Sequence, residues 1–292
     1  MSNVNTIGII GAGQMGNGIA HVASQAGFNV ILQDLTDTIL TKALGTIEAN
    51  MGREVKREKL SEAQAKEALA RISTATDLAA VGQAQLVIEA ATENESIKLQ
   101  IYEKFGPHLA PDAVMASNTS SISITRLGAH TPHPERFLGI HFFNPVPMME
   151  LVELIRGMAT SDEAFATAEA VVKRLGKQAF EAADSPGFIV NRIFVPMLNE
   201  AVFALHERVG SVEAIDAAMK LGLRHPMGPL TLSDYIGLDT LLAVMRVLHA
   251  ELGDPKYRPC PLLVRMVEAG WLGVKTGRGF YDYSQQPPRP TL

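Results

Sequence analysis

The chain has 292 residues, 47% of them hydrophobic and 20% charged, with a formal net charge of −5 at neutral pH. That length can bury a sizeable core in one large domain or two ordinary ones, and the composition excludes a disordered chain. The acidic balance leaves no global positive field for nucleic acid or an anionic membrane. One cysteine, Cys260, excludes an internal disulfide and a cysteine-based zinc site.

The N-terminus enters an apolar run within a few residues, without a basic leader. No stretch approaches 18 uninterrupted apolar residues. A soluble, cytoplasmic protein is expected.

Along the chain, short apolar runs alternate with longer amphipathic segments through about residue 185. Residues 6–10, 29–33, 86–90, 113–117 and 136–142 read as strands, with helices over 15–25 and 96–109 between them. Near-continuous apolar strands alternating with helices predict a mostly parallel sheet covered on both faces. Residues 148–155 and 179–183 extend that sheet. Residues 37–71 break the alternation: they are helical in composition with no strand between, which predicts a helical arm projecting from the sheet. From Met51 to Arg71 the arm carries six basic residues against four glutamates, a local surplus of +2.

The run Ala183, Asp184, Ser185, Pro186, Gly187 marks a boundary, since Ser and Pro there can open a helix. Beyond it, periodicity is helical over 188–206, 211–221, 231–251 and 261–270. An all-α domain over 186–292 therefore follows an α/β domain over 1–185. The Pro- and Gln-rich tail, 285–292, is expected to fray.

Gly11, Ala12, Gly13, Gln14, Met15 and Gly16 follow the first strand and open a helix. The second strand ends at Asp34, 18 residues past Gly16. This is a dinucleotide-binding, Rossmann-type context. Gly11 makes the tight turn, Gly13 lets backbone amides reach a pyrophosphate, and Gly16 permits close helix–strand packing. Asp34 would accept from ribose hydroxyls and repel a 2′-phosphate, which favours NAD over NADP. A flavin could use the same fingerprint.

His141 lies inside the apolar run 137–143, ahead of Asn144, Pro145, Val146 and Pro147. An imidazole has an unperturbed pKa of about 6.5, near working pH, and suits the proton that an alcohol loses when its hydride goes to a nicotinamide. A carboxylate on the other ring nitrogen would fix the tautomer. Spacing leaves two candidates: a simple hairpin puts His141 opposite Glu150, and Glu153 sits three residues further on, with both strand faces apolar. Residues 117–121 (Ser, Asn, Thr, Ser, Ser) follow another strand, where ligands of open parallel sheets gather. His130 and His133 occupy a proline-rich loop with no carboxylate at metal-ligand spacing, so no metal site is read.

At these residues, and at Ser185 to Arg192, Pro226 to Pro229, Gly237 to Asp239 and Lys275 to Tyr281, nearly the whole chain resembles the L-3-hydroxyacyl-CoA dehydrogenase family. The resemblance implies reversible NAD-dependent oxidation of an (S)-3-hydroxyacyl-CoA, such as 3-hydroxybutyryl-CoA. It makes His141 the catalytic base and Glu153 its partner, with Ser120 and Asn191 contacting the substrate. It adds Glu93, Lys98 and Lys275 to the cofactor set. It gives the arm's Asn50, Arg53, Lys56 and Arg57 to coenzyme A; Arg53, Lys56 and Arg57 share one helical face at i, i+3, i+4. It also implies a homodimer through the C-terminal domain and a substrate bound between the domains. Two other readings stand beside it: a dehydrogenase of free 3-hydroxyacids, disfavoured because 188–196 holds no lysine, and a non-catalytic nucleotide-binding protein on the same fold.

Overall fold

A computed structural model describes residues 4–292. The chain divides into two units, one ending at Ser185 and the other beginning at Pro186. In the first, eight strands form one sheet: β1 (Thr6–Ile10), β2 (Asn29–Gln33), β3 (Ile72–Ala75), β4 (Leu86–Glu89), β5 (Val114–Ser117), β6 (Phe137–Phe142), β7 (Leu151–Arg156) and β8 (Gln178–Ala183). Their order is β3-β2-β1-β4-β5-β6-β7-β8. The first six are parallel, while β7 runs antiparallel to β6 and parallel to β8. Strands β4, β5 and β6 are buried throughout, as a sheet covered on both faces requires. The strand order reverses between β1 and β4, the switch point at which open sheets bind ligands.

β3 is the strand that periodicity misses. Its Ile-Ser-Thr-Ala run is short and half polar, and it forms because β2 offers an edge to pair with, Val30 to Ile72 through Gln33 to Ala75.

The helices of this unit are α1 (Gln14–Gln25), α2 (Asp37–Lys56), α3 (Glu62–Ala70), α4 (Glu95–Phe105), α5 (Ile124–Gly128) and α6 (Asp162–Arg174). Thr36 caps α2 by accepting from the Ile39 N–H, and Ser61 with Gln64 forms a reciprocal capping box on α3. The helical arm is therefore a pair of capped helices. It does not stand clear of the sheet along its length. Leu40, Ala43, Ile47 and Met51 of α2 are buried in the same core as α1 and β1, because that i, i+3, i+4 stripe is apolar.

The second unit packs α7 (Val190–His206), α8 (Val212–Leu223), α9 (Pro229–Ile236), α10 (Leu238–Leu252) and α11 (Pro261–Glu268) around Leu198, Val202, Leu230, Met245 and Leu263. The single helix expected over 231–251 is two. Gly237, at φ +100°, turns the chain between α9 and α10. The tail does not fray throughout: β9 (Tyr281–Asp282) pairs with β10 (Arg289–Pro290), and the Thr291 N–H donates to the Phe280 carbonyl. Among the described residues no helix is long and apolar enough to cross a membrane.

Candidate active site

The parallel register aligns the strand ends. Gln33, Ile10, Glu89, Ser117 and Gly139 pair in one row across β2, β1, β4, β5 and β6. Asp34, the glycine loop, the Glu93 loop, Ser120 and His141 all follow that row at the carboxyl edge.

The glycine loop has the geometry a dinucleotide requires. Gly11 sits at φ +98°, and a Cβ there would lie 2.5 Å from Ala91 Cα; a Cβ on Gly16 would lie 1.7 Å from the Gly11 carbonyl oxygen. Gly13 faces open space. No side chain caps α1, so its first N–H groups remain available to an anion. Gln14 is exposed and Met15 half-buried on its first turn. Asp34 accepts from the Ala12 N–H at 2.7 Å and the Leu35 N–H at 2.7 Å. It also lines a cavity of about 610 Å3 with Leu35, Asp77, Ile97 and Ile101, a chamber suited to an adenosine group. These residues fit NAD.

At the next strand ends, Glu93 Oε1 accepts from Thr119 Oγ1 (2.8 Å), Ser120 N–H (2.8 Å), Ser120 Oγ (2.9 Å) and Ser121 Oγ (3.1 Å). One carboxylate thus holds the loop after β5. Lys98, given to the cofactor by the resemblance, lies on α4. It is 1% exposed, and its Nζ lies 2.6 Å from Glu89 Oε2, which also accepts from Tyr102 OH (3.1 Å) and Ser117 Oγ (3.0 Å). A charge this buried requires its partner, so Lys98, on α4, braces the ends of β4 and β5 through Glu89. Burial, then the Glu89 charge, push the Tyr102 hydroxyl well above its ordinary value, and it stays a donor. Glu89 Oε1 accepts from the Ala91 N–H at 2.8 Å, tying the β4 turn against Gly11.

β6 and β7 pair His141 directly with Glu153, and opposed residues of an antiparallel pair project to one face. His141 Nδ1 lies 2.7 Å from Glu153 Oε2 with the two residues 6% and 0% exposed. The tie between the acids resolves to Glu153; Glu150 is exposed. The intervening loop is longer than a tight hairpin because Pro145 O accepts from both Met148 N–H and Met149 N–H, adding a turn. Lys177, buried, donates from Nζ to the Val146 and Met149 carbonyls, each at 2.7 Å, and pins that turn.

The arm holds the four residues that the resemblance gives to coenzyme A. Of Asn50, Arg53, Lys56 and Arg57, only Asn50 lines the cavity of about 500 Å3 beside the glycine loop. Lys56 ends α2 and Arg57 caps it, with its N–H still donating to the Arg53 carbonyl at 3.2 Å. All three are exposed, and Arg53 donates to the Asn50 side chain. In the second unit, Asn191 is half-buried in the first turn of α7. Lys275 Nζ contacts both Asp239 oxygens, at 2.5 and 2.6 Å.

Sequence reasoning missed Asn144, Glu89, Lys177 and Asp239. Asn144 accepts from Gln14 Nε2 at 3.0 Å, joining the glycine loop to the turn after His141. Its position just past the catalytic strand was the available signal. The long-range partners of Glu89 and Lys177 leave no local pattern.

The model of the 3-hydroxyacyl-CoA dehydrogenase NAD-binding domain matches residues 6–185, and that of the C-terminal domain matches 187–283. The chain belongs to the 3-hydroxyacyl-CoA dehydrogenase family. It is 57% identical to a 3-hydroxybutyryl-CoA dehydrogenase of Bradyrhizobium diazoefficiens, over 99% of this chain and 98% of that one. It is 43% identical to the mouse mitochondrial hydroxyacyl-coenzyme A dehydrogenase, over 96% and 91%. The crystal structure of (S)-3-hydroxybutyryl-CoA dehydrogenase from Ralstonia eutropha superposes with a TM-score of 0.95 at 52% identity, covering 97% of this chain and all of that one. Family membership makes the chain an NAD-dependent oxidoreductase of 3-hydroxyacyl-CoA.

Proposed function

We propose that this chain interconverts (S)-3-hydroxybutyryl-CoA and acetoacetyl-CoA, with His141 as the acid–base group. The observation that carries this reading is the buried His141–Glu153 pair at the carboxyl end of a sheet that also builds a dinucleotide site. NAD, held by the α1 N-terminus and Asp34, supplies the hydride acceptor. With Nδ1 engaged by Glu153, the hydroxyl proton falls to Nε2 as the carbinol carbon becomes a carbonyl. Glu153 fixes that tautomer and stabilises the imidazolium. Ser120, held at the same edge by its N–H to Glu93, turns its hydroxyl from that carboxylate to donate to the 3-oxygen. By family resemblance Asn191 contacts substrate and Lys275 contacts cofactor.

The test is steady-state NADH oxidation with acetoacetyl-CoA. His141→Gln is expected to lose about a hundredfold or more in kcat, the usual size of an acid–base contribution. Near-wild-type turnover would overturn the assignment. Turnover of free acetoacetate but not acetoacetyl-CoA would favour a free-acid enzyme. We further place the protein in the cytoplasm as a homodimer through its second unit, which exposes Ile193, Val209, Leu221 and Leu223. A monomeric mass in light scattering would refute the dimer.

A further inference from the structure

Strands β6 and β7 pair from Leu138 opposite Arg156 to Phe142 opposite Val152. His141 and Glu153 therefore stand one step from the end of that ladder, where pairing frays first. What keeps this end closed lies beyond it, in the turn of residues 143–150. The turn touches α1 twice. Gln14 Nε2 donates to the Asn144 side chain, and buried Val146 packs so close to Gly18 that a Cβ there would lie 2.9 Å from Val146 Cβ.

A further tether is Lys177, between α6 and β8. Gly176, at φ +73°, ends the helix, and the Lys177 N–H donates back to the Val172 carbonyl. The next residue, Gln178, opens β8, which pairs with β7 so that Phe180 lies beside Glu153. The backbone of Lys177 is thus continuous with the frame that carries Glu153, while its ammonium reaches the turn that follows His141. Its two acceptors there, the Val146 and Met149 carbonyls, each at 2.7 Å, accept from no backbone N–H among the described residues. Burial disfavours the charge and the Glu150 carboxylate favours it, yet the ammonium's hydrogen bonds go to the turn. A buried ammonium that commits two donors to one turn fixes where that turn lies, and a shift of about 1 Å between reacting groups can cost about a hundredfold in rate.

We infer that Lys177 is a positioning residue for the reaction: gripping the turn after β6 from the β7–β8 frame, it holds the His141 imidazole in register with Glu153. It acts through His141, not on the substrate. This rests on the acid–base reading of His141 above.

The experiment follows NADH oxidation with acetoacetyl-CoA in Lys177→Met and Lys177→Arg, and in Lys177→Met combined with His141→Gln. Lys177→Met, which keeps the side chain's length and removes its donors, is expected to lower kcat about tenfold, with KM for acetoacetyl-CoA and for NADH within about twofold. Lys177→Arg, which keeps donors, should hold kcat within about threefold of wild type. Added to His141→Gln, Lys177→Met should change the residual kcat by less than about twofold, because the group it positions is already gone. A general loosening of the fold would cut kcat by the same factor in both backgrounds, and that result overturns the inference. So does an unchanged kcat in Lys177→Met, an effect confined to either KM, or an arginine variant no better than the methionine one. If Lys177→Met does not fold, Lys177→Gln, which keeps a shorter donor, takes its place under the same criteria. Normal turnover in His141→Gln alone defeats the acid–base reading itself, whereas equal factors in the two backgrounds defeat only the role of Lys177.

Discussion

Glu153 shows how much chemistry one side chain can set. Its carboxylate, fully buried, has only to accept from His141 Nδ1 to leave Nε2 as the ring's proton acceptor. Glu153→Gln keeps the shape but presents an amide that can donate to Nδ1 and favour the opposite tautomer. A loss of about ten-thousandfold in kcat is expected with little change in KM for either substrate, on the scale of the equivalent change in serine proteases. A kcat within threefold of wild type would show that Glu153 does not orient the ring. Lys98 makes the contrasting case. Were it a cofactor contact alone, Lys98→Met would weaken NADH binding and spare the fold. Because it neutralises Glu89 at 1% and 0% exposure, the variant should cost about 3–5 kcal/mol in denaturant unfolding, with Glu89→Gln restoring part of that loss in the double variant. Unchanged stability would return Lys98 to the cofactor's surface.

Elements with continuous apolar runs were readable: β1 and β2 fall on the expected residues, and β4, β5 and β6 each differ by one residue at one end. β3 was not, since its pairing with β2 depends on an edge 42 residues away, Val30 to Ile72. Nor was the break at Gly237, because a glycine within an amphipathic pattern does not reveal its φ. The partner of His141 needed the loop length, which the extra turn at Pro145 sets. The glycine loop was legible in full, and its three glycines separate by cause. Gly16→Ala places a methyl 1.7 Å from the Gly11 carbonyl, so α1 must move; a loss of about 1–3 kcal/mol in stability is expected along with weakened NADH binding. Gly13→Ala meets nothing within 4 Å and should leave Tm unchanged while raising the dissociation constant for NADH, read by nucleotide fluorescence. Equal Tm losses in both variants would mean that the loop packs otherwise.

Each unit has its own core and its own buried titrating group, and the two groups answer acid in opposite ways. In the second unit, burial pushes the Asp234 carboxyl up to about 6 from 3.8, against the Phe280 and Tyr281 N–H groups and the Tyr283 hydroxyl that bond it. The native state then holds that proton more tightly than the unfolded chain. The contribution is greatest below pH 3.8 and is lost as pH rises through about 6, with a ceiling on the order of 3 kcal/mol. In the first unit, burial lowers the pKa of His21, opposed by Glu54, whose Oε1 lies 3.5 Å from Nε2. There the unfolded chain binds the proton more readily. That contribution is full above pH 6.5 and is lost as pH falls through the lowered native value. Calorimetry between pH 4 and 7 separates the two. Asp234→Asn should fall furthest behind the wild type at pH 4 and least at pH 7, whereas His21→Gln should trail most at pH 7 and recover ground on acidification. Parallel Tm-versus-pH curves for either variant and the wild type would show that its group does not titrate differently on unfolding.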